Sequence, residues 1–408
     1  YRSHHGPVVR EQDGKLVAVR LMEEPLKALI QSFSRTKAKT LAEYKQVMEA
    51  HTNSSNNTLY ADADGNFAYF HSNFVPKRNP RFDWSKPVDG SDPATDWQGV
   101  HSYDESPNVE NPSTGWVYNS NNWPYTAAGP DSPKKDAYPA YFDHVGENPR
   151  GIHAIRLMKA AKALTPDTLT RTVFDSQQPE LEVQVPLLIK AWDQAPASHP
   201  LKAKLKDPVD ALRTWDHRWA ADSVPQTLGY FWAEELWSKT AGQARAANVT
   251  VYDYMRTKAT PTQRLEALAA VVEKLTADFG KWQTPWGDVN RFQRVSPAIV
   301  HPFDDAKPST AVPFASARWG SLASFGARSF NGSRKIYGTS GNSFVAVVEF
   351  GKDGVSAKAV TAGGLSSDIT SKHFNDQAGR YAAGDLREVY FYPKQLQGHT
   401  ERTYNPGK

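Results

Sequence analysis

The sequence predicts an α+β chain, and three observations carry that reading. The first 24 residues, and again Asn57–Ser72, read as strands paired around Asp-Gly turns. The middle of the chain instead places apolar residues at helical spacing behind Thr and Pro caps. Alternation returns from about Phe292 onward. Period two marks half-buried strands and period 3.6 marks amphipathic helices, so strands, helices and strands again describe a β-rich core interrupted by a helical insertion. The expected organisation is a sheet-and-helix portion over 1–150, a helical insertion over 151–290, and a return to the β-rich core over 291–408.

Each element has a local cause. P-V-V-R and K-L-V-A-V-R-L flank Asp13-Gly14, the signature of two strands joined by a tight turn. Thr40 and Glu43 form a T-x-x-E capping box ahead of an apolar face made by Leu41, Tyr44, Val47 and Met48. A second hairpin is expected over Asn57–Ser72 with Asp64-Gly65 at its turn. Between Val75 and Asn148 the chain is rich in Pro, Asp, Gly and Trp and has little periodicity; a stretch that long inside a compact domain is functional or held by packing. Helices are expected over Gly151–Leu164, after Thr165-Pro166, over Asp207–Ala221 and over Pro225–Lys239. Another runs over Thr262–Phe279, with Leu265, Leu268, Val272, Leu275 and Phe279 on one stripe. The run S-F-V-A-V-V-E-F-G-K-D-G-V-S-A-K-A-V reads as a hairpin at Asp353-Gly354.

Composition narrows the function classes. Hydrophobic residues make up 39% and charged ones 23%, the balance of a globular chain long enough for more than one core. The net charge of +4 is spread over 48 basic and 44 acidic side chains without a basic block, which argues against a nucleic-acid partner. Cysteine is absent, so neither a disulfide framework nor a thiolate metal site is available. No run of 18 apolar residues suggests a membrane span. Asp62-Ala-Asp-Gly-Asn66 opens like a calcium loop, but Phe67 stands where Gly is required and Asn73 where Glu is required, so a hairpin turn is expected instead. The 12 His never form H-E-x-x-H and only His4 and His5 are near neighbours, which argues against a His-ligated metal site.

The most informative stretch is Gly115–Arg150. It contains G-W-V-Y-N-S-N-N-W-P and then Y-P-A-Y-F-D-H-V-G-E-N-P-R-G. Asn favours turns on its own account, yet a carboxamide N–H in such a turn can also face a developing oxyanion. This segment resembles the oxyanion-hole region of the penicillin acylase family of N-terminal-nucleophile (Ntn) amide hydrolases. Four other strings resemble that family in its own order: Y-R-S-H-H-G-P-V-V at Tyr1, N-T-L-Y-A-D-A-D-G-N-F-A-Y-F-H-S at Asn57, W-D-H-R-W-A-A-D-S with P-W-G-D-V-N-R-F, and the C-terminal A-G-G-L-S-S-D, H-F-N-D-Q-A-G-R-Y-A-A-G and Y-N-P-G.

The resemblance implies a partial αββα sandwich core of the Ntn hydrolase type, in a portion of the large chain of a processed heterodimer that cleaves linear N-acyl amides. It implies an oxyanion donor at Asn121, with Asn119 and Asn122 as alternative registers, and an Arg beside the nucleophile at Arg150. No cofactor is implied for catalysis, but a structural calcium is, with Pro80 (through its carbonyl) and Asp143 among its ligands. The partners implied are a small N-acyl amide substrate and the segment of the same precursor that carries the nucleophile. That residue is expected outside this chain, because the family uses a leading Ser, Thr or Cys and Tyr1 stands here. A periplasmic or secreted bacterial setting is also implied. Aromatic residues between Phe67 and Trp123 are candidates for an acyl pocket or for core. The rival reading is a non-catalytic carbohydrate- or peptide-binding protein that keeps the fold, favoured by Tyr1 and the Trp-rich stretch over 84–123.

Overall fold

Asp13 and Gly14 both carry positive φ (53° and 72°), the geometry a two-residue hairpin turn needs. They close strand β2 (Gly6–Gln12) onto β3 (Lys15–Ala18) with Gln12 opposite Lys15. A short β1 (Arg2–Ser3) pairs with the start of β2 and completes a three-stranded antiparallel sheet. Gly6 has φ 116°, and a Cβ there would lie 2.2 Å from the Val19 carbonyl oxygen, so only glycine fits this corner. The computed structural model describes residues 1–53, 56–142, 146–330, 332–405 and 407. It divides into two compact units, Tyr1–Gly151 with Phe350–Gly354, and Ile152–Glu349 with Val355–Lys408.

In the first unit, helix α1 (Pro25–Ser34) and α2 (Leu41–Met48) follow the sheet. Thr40 caps α2 by accepting the Glu43 N–H at 3.2 Å. The capping box is only half made, because the Glu43 carboxylate accepts the N–H of Lys39 rather than that of Thr40. The second hairpin pairs β4 (Thr58–Ala61) with β5 (Phe67–Phe70), and β6 (Val109–Glu110) joins the far side of β5. Its turn is five residues long, not two. The Asp62 carboxylate holds it by accepting the backbone N–H groups of Asp64 and Asn66 and the Tyr60 hydroxyl at 2.8–3.0 Å. Ala68, Phe70, Met48 and Tyr103 form the core under this sheet, with Leu41, Tyr44 and Tyr60 against it. Tyr69, Phe70 and Tyr103 are therefore buried structural aromatics. Over 75–142, the described part of the aperiodic stretch, the ordered features are 3₁₀ turns, β6 and a single bridge from Pro76 to Val100. Side-chain hydrogen bonds hold most of the rest.

The second unit begins in α3 (Pro149–Ala160), four residues shorter at its end than the sequence suggested. Thr165 and Thr168 make a full capping box for α4 (Pro166–Val173), with Pro166 at its first position. Helix α5 (Pro179–Gln194) was not legible in the sequence; Pro186 in its interior breaks the usual helix signal. Helix α6 (Lys206–Arg213) stops well short of Ala221. His217 takes φ 58°, Arg218 bridges to Gln177, and the Trp219 N–H donates to the Ser176 carbonyl, so the chain leaves the helix after Arg213 and 217–219 pairs with 176–178. Helices α7 (Val224–Ala246), α8 (Val251–Thr257) and α9 (Pro261–Phe279) complete the bundle; α9 is framed by a Thr260/Gln263 capping box and by Gly280 at φ 80°. Leu181, Leu188, Trp232, Leu236, Leu268 and Trp319 are among its fully buried side chains, each contributing about 1.5–3 kcal/mol of transfer free energy. Buried Glu180 pairs with Arg256 in this unit, and half-buried Glu234 pairs with Arg318.

After the short α10 (Trp286–Val289), the strands return. Strand β7 (Asn290–Phe292), β8 (Thr310–Ala311), β9 (Phe325–Arg328) and β10 (Ile336–Gly341) form one sheet in the order β8-β7-β10-β9, with β7 and β10 parallel. The expected hairpin at Asp353-Gly354 is β11 (Phe344–Gly351) with β12 (Gly354–Thr361). Helix α11 (Ala378–Ala383) then leads to β13 (Arg387–Glu388), which pairs with β12. The chain is α+β, and no helix of the described residues is long and apolar enough to cross a membrane.

Candidate active site

The N-S-N-N turn is built on the end of the second hairpin. Tyr69 is fully buried on β5, and its hydroxyl donates to the Asn122 carbonyl at 3.3 Å. Two carboxamides, from Asn57 and Asn119, donate to the same carbonyl at 3.2 and 3.1 Å. Asn119 also donates to the Tyr69 hydroxyl at 3.0 Å, while its Oδ1 accepts the Asn121 N–H at 2.9 Å. That local Asx-type bond lets Asn121 sit at φ 65°, in the left-handed region that Asn tolerates better than most residues.

The three asparagines are thereby separated by what their side chains do. Asn119 is spent on Tyr69 and the turn. Asn122 is buried, and its Nδ2 donates to the Glu147 carboxylate at 2.9 Å. Asn121 is exposed, its Oδ1 accepts from Arg150, and among the described residues its Nδ2 has no partner.

Arg150 reaches this turn from the first turn of α3. Asn148 caps the helix by accepting the Gly151 N–H at 3.0 Å, and Pro149 supplies the fixed φ favoured at the first helical position. The Asn148 Nδ2 donates to the Ser120 carbonyl at 2.7 Å, and the Arg150 Nη2 donates to that carbonyl at 3.0 Å as well as to Asn121. A cation at a helix N-terminus opposes the macrodipole, so Arg150 requires other compensation. Burial lowers its pKa from the ordinary value, and the nearby Glu147 carboxylate works in the opposite direction. A guanidinium stays protonated under either influence.

Glu147 is the hub that the sequence did not single out. Its carboxylate accepts from the Tyr118 hydroxyl, the Thr126 hydroxyl and the Asn122 carboxamide, and its other oxygen accepts the Asn148 N–H at 2.9 Å. Burial first, and the Glu147 hydrogen bond second, push the Tyr118 phenol well above its ordinary pKa, so it remains a donor. Gly151 makes room for the same group, since a Cβ there would meet the Glu147 Oε1 at 1.6 Å and displace the carboxylate. The one available signal was position: Glu147 stands three residues before Arg150 in E-N-P-R. Trp123 closes the turn against His71, with ring centroids 4.0 Å apart. Of the two expected calcium ligands, Pro80 lies in an exposed turn and Asp143 lies outside the described residues.

A Penicillin amidase family model matches residues 1–398. The chain belongs to the penicillin amidase family. Penicillin G acylase of Escherichia coli is 28% identical over 209 residues, 51% of this chain. That match spans 22% of the relative's own length. A solved structure, the thermostable penicillin G acylase from Alcaligenes faecalis in orthorhombic form, superposes with a TM-score of 0.64 at 17% identity, over 99% of this chain and 77% of that one. The fold is therefore that of penicillin G acylase.

Proposed function

We propose that the protein containing this chain cleaves an N-acyl amide into a carboxylic acid and an amine, and that Asn121 donates a hydrogen bond to the tetrahedral oxyanion. The observation that carries this reading is the asymmetric Asn121 carboxamide. Arg150 holds its oxygen while its Nδ2 is left without a partner among the described residues. A donor fixed in advance costs no reorganisation when negative charge develops on the acyl oxygen.

In this reading the nucleophile is a Ser, Thr or Cys outside these 408 residues, whose own α-amine takes its proton. Attack on the acyl carbon forms the tetrahedral intermediate. The C–N bond then breaks, the amine leaves with that proton, and water releases the acid from the acyl-enzyme. Arg150 positions Asn121, and its charge lowers the pKa of the amine that serves as base. The acyl group belongs to the class spanned by phenylacetyl, long-chain fatty acyl as in acyl-homoserine lactones, and the side chains of β-lactams or lipopeptides. A structural calcium with Pro80 and Asp143 among its ligands rests on the family resemblance alone, and no step depends on it. A processed heterodimer in the periplasm or outside the cell belongs to the same reading.

The test is turnover by the complete protein of chromogenic phenylacetyl and long-chain acyl amides, compared with the same protein carrying Asn121→Ala. Hydrolysis that falls steeply with the substitution is expected. Failure of the complete protein to cleave either class would overturn the assignment in favour of a binding role.

A further inference from the structure

His4 and His5 occupy the two-residue connection between β1 and β2, so the register of the first hairpin fixes both imidazoles side by side, with ring centroids 3.8 Å apart. Asp96, ninety-odd positions further on, faces both of them. Its Oδ1 lies 3.7 Å from the His4 Nε2 and 3.8 Å from the His5 Nδ1. These three ligand atoms all fall within 4.8 Å of one another. We propose that His4, His5 and Asp96 bind a divalent transition-metal ion of the zinc class.

The His5 ring is already set for this. Its Nε2 lies 2.8 Å from the Gly90 carbonyl oxygen, which can only accept, so Nε2 carries the hydrogen and Nδ1 presents its lone pair toward Asp96. Backbone-carbonyl support of this kind is how metal-ligating histidines are held in the right tautomer. The support leaves no slack, since a Cβ at Gly90 would come within 2.9–3.0 Å of the His5 ring. The His5 N–H is held in turn by the Ser3 hydroxyl at 3.2 Å. The spacing also suits a small cation. Zinc bonds of roughly 2.0–2.2 Å place tetrahedral ligands roughly 3.3–3.6 Å apart, a few tenths of an ångström tighter than the two distances to Asp96.

Two imidazoles and one carboxylate form a donor set that zinc accepts, and three protein ligands leave a position for water. Arg20 faces the same carboxylate oxygen at 3.9 Å while stacked on Trp97, a competing cation that the ion must displace from Asp96. An ion bound here would staple the first hairpin to the 3₁₀ turn at Pro93–Thr95, whose N-terminus Asp92 caps.

The experiment is a zinc titration of the tag-free complete protein by calorimetry, with cobalt absorption as an independent report of imidazole ligation. One equivalent should bind saturably, and thermal melting should shift upward with added zinc, because the folded chain holds the assembled site. His5→Ala and Asp96→Asn should each weaken binding at least tenfold. Gly90→Ala should weaken it while leaving all three ligands in place, and His399→Ala, at an exposed histidine elsewhere, should leave it unchanged. Binding by Asp96→Asn at wild-type strength would overturn the proposal, since it would reduce the feature to two adjacent surface histidines. Absence of saturable binding in the wild type would overturn it outright. Melting of each variant without metal separates ligand loss from misfolding.

Discussion

The guanidinium of Arg150 and the carboxamide of Asn121 meet at the Asn121 Oδ1, so this amide is pinned at its oxygen and open at its nitrogen. Pinning the oxygen settles which end of the amide faces outward, because the donors of Arg150 can pair only with an acceptor. The same guanidinium nitrogen also holds the Ser120 carbonyl, which ties the backbone just before Asn121 to the first turn of α3. Position and polarity of one donor are thus fixed by a residue 29 positions away.

Replacing Asn121 tests that donor directly. Asn121→Ala should lower kcat by roughly 10²–10³-fold with little change in KM, the loss typical of a single oxyanion donor. Alanine at φ 65° also costs about 1–2 kcal/mol of backbone strain. Asn121→Gly removes the donor without that strain. Equal kcat losses in the two variants, measured with melting temperatures, assign the effect to the hydrogen bond. A glycine variant that keeps more than about a tenth of wild-type kcat, a deficit under roughly 1.4 kcal/mol, would end the oxyanion role.

Arg150→Lys should lower kcat by about 10²-fold while KM stays within a few-fold, because a displaced donor misses the transition state more than the ground state. The lysine keeps the charge but lacks the rigid, planar guanidinium whose Nη2 reaches both the Ser120 carbonyl and the Asn121 Oδ1. The pH–rate profile separates the two roles of Arg150. With the charge retained, the acidic limb should stay in place while the plateau drops; an Arg150→Gln variant should shift that limb upward.

The Asn121 and Arg150 region was legible in the sequence because its signals are local: an Asn-rich turn before Pro, and Asn-Pro-Arg-Gly opening a helix. Their juxtaposition was not, since nothing in sequence spacing reports that Asn148 and Arg150 share the Ser120 carbonyl. Glu147 escaped for a related reason. Its donors come from Tyr118, Asn122 and Thr126 across an aperiodic stretch, where no periodicity reveals which way a side chain turns. The Thr165-Pro166 cap located α4 and the apolar stripe from Leu265 to Phe279 located α9, whereas Pro186 concealed α5. The end of α6 was missed because the aromatic run after Arg213 keeps helical spacing while its backbone pairs with 176–178. The His4, His5 and Asp96 cluster could not be found by short-range motif, since its third member is remote in sequence.

Glu147→Gln should destabilise the first unit without touching the bundle. The amide keeps one acceptor, but its NH₂ now confronts donors from Tyr118, Thr126 or Asn122. Hydrogen bonds to a charged group are worth about 1.5–3 kcal/mol, and a loss of that order in denaturant unfolding is expected. Hydrogen exchange should localise the change to 118–126 and to the start of α3. Unchanged protection there would mean that Glu147 is not the hub of this turn.

His373 gives a pH dependence whose sign is fixed by its partners. Its Nδ1 pairs with Asp376 at 2.7 Å and its Nε2 with Glu401 at 3.2 Å, so the chain near Glu401 is fastened to the segment before α11. Hydrogen bonding to Asp376, and then to Glu401, raises the imidazole pKa above its ordinary value. A folded-state pKa above the unfolded value of about 6.5 means the fastening is fully present below that value and is lost as pH rises through the folded one. Lys372, 2.7 Å from Glu401, retains part of the tether. Amide exchange over 399–405 should therefore quicken as pH rises above the ordinary imidazole value of about 6.5, beyond the intrinsic base-catalysed increase, and His373→Ala should remove the excess. Wild-type and variant profiles that rise in parallel across the range would show that the imidazole does not hold the segment.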